Sequence, residues 1–150
     1  LRVQIYEDKG QGFSEENSYF PENVYVAEKE AEFTVKFDGN VHYLRLDPAM
    51  CSCICKIREL SMNGQPVPLQ DKKVFITNGK ILKSEEGADH PSVIFATEDP
   101  NMTIRADVLN RQAENTLSVK MEIVQIPQAM AKDMMGVEKK GAAAWVFGQR

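Results

Sequence analysis

The sequence predicts an all-β fold, an antiparallel β-sandwich of jelly-roll type. Roughly nine or ten short stretches alternate apolar and polar residues with period two, turn residues separate them, and helical periodicity is nearly absent. The stretch 41–62, VHYLRLDPAMCSCICKIRELSM, shows the pattern most fully. Its first strand sets Val41, Tyr43 and Arg45 against His42, Leu44 and Leu46, and its second places Cys51, Cys53, Cys55 and Ile57 on one face. The phase then slips, because Leu60 and Met62 are even-numbered where Ile57 is odd. A β-bulge near Arg58 or Glu59 returns both sets to one core. Pro48 has no amide proton for a ladder and belongs to the short turn between the two strands.

The remaining elements follow in chain order. Residues 1–6 alternate Leu1, Val3 and Ile5 against Arg2, Gln4 and Tyr6, a first strand with a half-buried face. Residues 7–21 read as a polar loop, in which Ser14 and Asn17 have the spacing to cap a single helical turn. Residues 24–27 form a short strand and 31–37 a longer one, with Phe33, Val35 and Phe37 opposite Glu32, Thr34 and Lys36. Asp38-Gly39-Asn40 predicts a turn that continues these strands as a meander. Asn63-Gly64 predicts a tight turn into an edge strand over 65–69, confined there by Pro66 and Pro68, and Asn78-Gly79 predicts a second hairpin. Residues 92–97 are apolar on both faces and read as a central strand. Strands over 102–108 and 116–126 complete the domain, 1–127, the last burying Leu117, Val119, Met121 and Ile123. Residues 128–150 form a tail, helical where Met130, Met134 and Val137 make an apolar stripe, and then apolar around Trp145. Both ends read as cut from a longer chain.

At 150 residues and net charge −4, the chain is long enough for one packed core and too acidic for a nucleic-acid module, which needs clustered Lys and Arg. Three cysteines, an odd number spaced by two, argue against a disulfide framework and for a reducing, cytoplasmic setting. No run of apolar residues is long enough to insert in a membrane.

Each candidate site has a plainer structural counterpart. Alternate residues on a strand lie about 6.6 Å apart, so Cys51, Cys53 and Cys55 cannot close on one zinc at about 2.3 Å and read as small core residues. His42 and His90 have no chelating or triad spacing. The acidic residues form no sequence-evident pair for glycoside hydrolysis. A calcium site is conceivable in the first loop from Asp8, Glu15 and Asn17, with Glu16 beside them, because hard oxygen ligands suit that ion; solvated loop carboxylates explain the same residues. The aromatics of the first third, among them Tyr6, Phe13, Tyr19 and Tyr43, suit a ligand groove in which a sugar ring lies on an aromatic face and polar groups such as Glu15, Glu16 and Asn17 orient its hydroxyls. Core packing and rim tyrosines are the alternative.

Gly12-Phe13-Ser14-Glu15-Glu16-Asn17-Ser18, Leu44-Arg45-Leu46-Asp47-Pro48 and Cys55-Lys56-Ile57-Arg58 through Asn63-Gly64 resemble a β-sandwich domain attached to bacterial glycosyltransferases of surface-polysaccharide synthesis, the rhamnan-synthesis and O-antigen type. The likeness spans residues 5–126, and GFSEENS is its most specific piece. It departs from the family in its three cysteines and at Leu46, where Phe is common. The resemblance implies a non-catalytic accessory domain beside a transferase domain of the same chain, holding or orienting a glycan acceptor. The alternative is a structural or protein-interaction domain with no ligand of its own.

Overall fold

The computed structural model describes residues 2–21, 25–27, 30–82, 90–109 and 111–137. It is a two-layer antiparallel sandwich, as the alternation requires. One sheet has five strands: β1 (Gln4–Asp8), β2 (Ser18–Tyr19), β5 (Tyr43–Asp47), β8 (Phe75–Thr77) and β11 (Met102–Arg105), ordered β2-β1-β5-β11-β8. The other has seven: β3 (Tyr25–Ala27), β4 (Glu30–Asp38), β6 (Cys53–Met62), β7 (Gln65–Pro66), β9 (Lys80–Leu82), β10 (Ser92–Phe95) and β12 (Glu114–Gln125). Their path is β3-β4-β12-β6-β10-β9, with β7 on β6.

The two long strands β6 and β12 form the middle of the larger sheet, and their register shows how one core is kept. Glu59 pairs with Lys120 and Ile57 with Met121, so Arg58 is the extra residue of a bulge. Because of it Cys53, Cys55 and Ile57 face the same interior as Leu60 and Met62, all buried. Leu117, Val119, Met121 and Ile123 of β12, the odd positions of β4 and Leu44 and Leu46 of β5 fill the rest.

Connections differ more from expectation than strands do. Strands β4 and β5 lie in different sheets, and so do β5 and β6, so Asp38-Gly39-Asn40 and the segment around Pro48 are crossovers rather than parts of a meander. A Cβ on Gly39 would stand 2.8 Å from the Gln112 carbonyl oxygen, so this glycine serves close approach. Asn78-Gly79 likewise crosses from β8 to β9, and a Cβ on Gly79 would lie 2.6 Å from Val93 Cγ1 and 2.7 Å from the Ile94 carbonyl oxygen. Only Asn63-Gly64 makes the expected hairpin: φ is 52° and 82°, the paired positive values of a type I′ turn. The Asn63 side chain donates to Asn115 Oδ1 and accepts from the Thr116 amide, fixing the turn to β12.

Residues 18–19, read as loop, return as β2 and pair with β1. At the far end α1 (Gln128–Val137) covers the outer face of β10, where Ala131 and Met134 meet Ile54, Ile94 and Leu82. This is why β10 is apolar on both sides. Met130, expected in the stripe, is exposed, because the buried stripe runs through Ala131 instead. Trp145 lies outside the described residues.

Two glycine substitutions separate close approach from backbone freedom. Gly79→Ala lowers stability by about 2 kcal/mol or more, since the new methyl meets backbone as well as side chain. Gly136→Ala, on the exposed side of α1 with nothing within 4 Å, raises it by about 0.5 kcal/mol. Denaturant melts of both variants check the opposite signs.

Candidate functional site

Period two places Gln4, Tyr6 and Asp8 of β1, Tyr43, Arg45 and Asp47 of β5, and Thr103 and Arg105 of β11 on the outer face of the five-stranded sheet. Register brings them into rows: Tyr6 opposite Arg45 and Arg45 opposite Thr103, then Asp8 opposite Tyr43 and Tyr43 opposite Arg105. The centre of the face is Arg45. Its guanidinium carbon lies 4.1 Å over the Tyr6 ring and 5.7 Å from the Phe13 centroid, both within cation–π range. Its Nε and Nη2 donate to the two carboxylate oxygens of Asp47 at 2.8 and 2.9 Å, and Nη2 stands 4.0 Å from Asp99.

The loop after β1 folds onto this centre. Asp8 Oδ1 accepts from the amides of Gly10 and Gly12 at 2.7 and 2.9 Å, and both glycines take positive φ to allow it. The chain then lays Phe13 edge-on against Tyr6, with ring centroids 6.5 Å apart. A 3-10 turn over Glu15–Asn17 presents Glu15 to the Tyr6 hydroxyl, which donates at 2.9 Å, and to Gln4 Nε2, which donates at 3.3 Å. Ser14 starts this turn without a side-chain cap on the backbone; Asn17 Nδ2 donates to its hydroxyl instead. The GFSEENS stretch is thus a latch on the sheet.

Of the residues singled out in the sequence, Tyr6, Phe13 and Glu15 meet. Tyr43 shares their face, two positions from Arg45, and is half-buried. Tyr19 does not join them: it pairs with Ile5, packs against the core, and donates its hydroxyl to Glu7 at 3.1 Å. Burial, then the charge of Glu7, raises its pKa above the ordinary value. Glu16 and Asn17 are exposed on the turn. The oxygens expected for calcium are engaged by the protein at Asp8 and Glu15, and no group of three His, Cys, Asp or Glu residues able to hold a metal ion forms among the described residues. Tyr6, only 6% exposed, lies beneath Arg45, so its ring is not an open platform for a sugar.

Sequence reading left Arg45, Asp47, Asp99, Arg105 and Asp107 without a role in a site, the carboxylates counting only as scattered acidic residues. A signal was present: Arg-x-Asp occurs at 45–47 and again at 105–107, and Arg105 Nε donates to Asp107 at 3.0 Å. Asp107 Oδ2 also lies 3.5 Å from His42 Nδ1. The cysteines take no part. Burial pushes the Cys53 thiol up to about 12 and Cys55 well above its ordinary value, so both stay neutral, and Cys55 Sγ rests 3.3 Å from Met121 Sδ.

Away from this face, a concavity of about 490 Å³ opens beside β6 and β7, bordered by Arg58, Leu60, Pro66, Pro68 and His90. No helix among the described residues is long and apolar enough to cross a membrane. No family model, curated protein or solved structure matches the chain.

The Arg45–Asp47 pair is asymmetric. The hydrogen bond to Asp47 raises Arg45, whereas at Asp47 the cost of burial outweighs the help of Arg45 and the carboxyl sits above its ordinary value. A carboxyl raised in the folded state binds its proton more readily there than in the unfolded chain. Its stabilising contribution is therefore complete below the unfolded value and lost as pH rises through the folded one. Stability of the parent minus that of Asp47→Asn should accordingly grow as pH falls into the carboxylate range. Guanidinium melts at neutral and acid pH measure it, and a difference that shrinks on acidification means that pairing with Arg45 dominates.

Proposed function

We propose that the chain is a non-catalytic, carbohydrate-associated accessory domain, and that the outer face of the five-stranded sheet is where it meets a glycan acceptor. The observation that carries this reading is one latched, polar and aromatic surface. Phe13 and Tyr43, half-buried, flank the Arg45–Asp47 pair, with Gln4, Glu15, Asp99 and Thr103 around it. Sugar rings offer apolar C–H faces to aromatics and hydroxyls to planar carboxylate, amide and guanidinium groups, and a surface fixed by its own hydrogen bonds loses little entropy on binding. Tyr6 and Arg45 form the support of such a surface, and Phe13 and Tyr43 its contacts.

The resemblance of GFSEENS and LRLDP to the accessory domain of surface-polysaccharide glycosyltransferases points to the same reading, because these segments supply the latch and Arg45-x-Asp47. The partner is then a transferase domain of the same chain, and the setting the cytoplasmic side of polysaccharide assembly. A second reading, an interaction domain without a ligand, is favoured by Ile76, which is 46% exposed on the edge strand of this face beside Thr103.

A glycan array followed by calorimetry decides between them. The first reading predicts retention of surface-type bacterial glycans at millimolar or better affinity, weakened roughly tenfold by Phe13→Ala or Tyr43→Ala. A blank array, or binding indifferent to both substitutions, removes the outer face as a glycan site.

A further inference from the structure

Resting on the reading of this face as a glycan site, we infer that it selects neutral, hydroxyl-rich glycans and excludes those bearing carboxylate, sulfate or phosphate. Proteins recognise such anions chiefly through an open guanidinium edge that offers two parallel N–H bonds, or through lysine. Arg45 has already spent an edge within the protein, since Nε and Nη2 close on both oxygens of Asp47, which is 7% exposed. Its planar face is covered on one side by Tyr6. Arg105 has the same Arg-x-Asp spacing on the neighbouring strand and gives its Nε to Asp107 Oδ1, while its side chain stays 39% exposed.

Charge around this pair has one sign in excess. Glu15 reaches the Tyr6 hydroxyl, and Asp99, whose side chain is 72% exposed, stands at the rim 4.0 Å from Arg45, so with Asp47 three carboxylates gather around the Arg45–Tyr6 stack. Arg105 is likewise offset by Asp107. His42 adds a second contact to Asp107, and Lys9 is paired away with Asp38 at 3.8 Å. An approaching anion meets a negative field with the Nε/Nη2 edge of Arg45 closed, while a sugar hydroxyl finds carboxylate oxygens that accept. The closed Arg45–Asp47 pair, with Asp99 and Glu15 beside it, thus turns the centre of a face that carries arginine into one that rejects anions.

The test uses the whole chain on an array of matched neutral, uronate-containing, sulfated and phosphorylated oligosaccharides, at low and moderate salt. Neutral glycans should be retained and their charged counterparts lost. In Asp99→Lys the ratio of anionic to neutral binding should rise roughly threefold to tenfold at low salt and fall back as salt is added. Equal retention of anionic and neutral glycans by the parent, or a ratio unmoved in Asp99→Lys, overturns the selectivity and leaves the glycan site standing. Retention of nothing overturns the site itself, and the selectivity with it.

Discussion

One extra residue in β6 decides whether this chain has a single interior. A ten-residue strand at the centre of a sheet must keep one face apolar throughout, and the sequence of β6 changes phase halfway. The bulge at Arg58 absorbs the change, so Cys53, Cys55 and Ile57 share an interior with Leu60 and Met62. Without that bulge either the first half or the second would turn its apolar residues to solvent, at about 1.5–3 kcal/mol for each large side chain exposed. Everything else hangs on this alignment. Strand β12 takes its register from β6, β4 from β12, and the facing sheet packs on the surface they form.

The faces of the strands were legible because alternation is local. The inward positions of β4, β5, β6 and β12 can be read from their own neighbours, and even the bulge follows from counting odd and even residues. Strand partners were not legible in the same way. Asp38-Gly39-Asn40 and Asn78-Gly79 look like hairpin turns, but Gly39 and Gly79 are glycines because another backbone passes within contact distance, from Gln112 and from β10. A dipeptide cannot show what lies across the sandwich from it. Asn63-Gly64 succeeded because its two positive φ values are needed by the turn itself.

The outer face shows the same division. Tyr6, Phe13 and Glu15 were identifiable as residue types suited to a surface site, and the fold brings them together. Tyr19 lies apart from them because a one-residue difference in strand phase sends it to the core side, where Glu7 receives its hydroxyl. Arg45 and Asp47 were overlooked since each alone is an ordinary outward residue of a strand. Their meaning comes from position: a buried carboxylate holds the guanidinium over the Tyr6 ring, and that stack gives Phe13 and the GFSEENS turn something to close upon. The most specific motif in the chain therefore fixes a loop to a sheet.

The bulge can be tested by single-residue deletion in β6. Removing Arg58 leaves Ile57 inward, Glu59 outward, Leu60 inward, Ser61 outward and Met62 inward, a regular strand with its core set complete. Removing Ser61 or Lys56 instead inverts the residues on one side of the gap. Cooperative thermal unfolding should survive deletion of Arg58, with a modest loss of stability, and vanish on deletion of Ser61 or Lys56. If the chain lacking Arg58 fails to fold as completely as the chain lacking Ser61, the alignment of β6 described here is wrong.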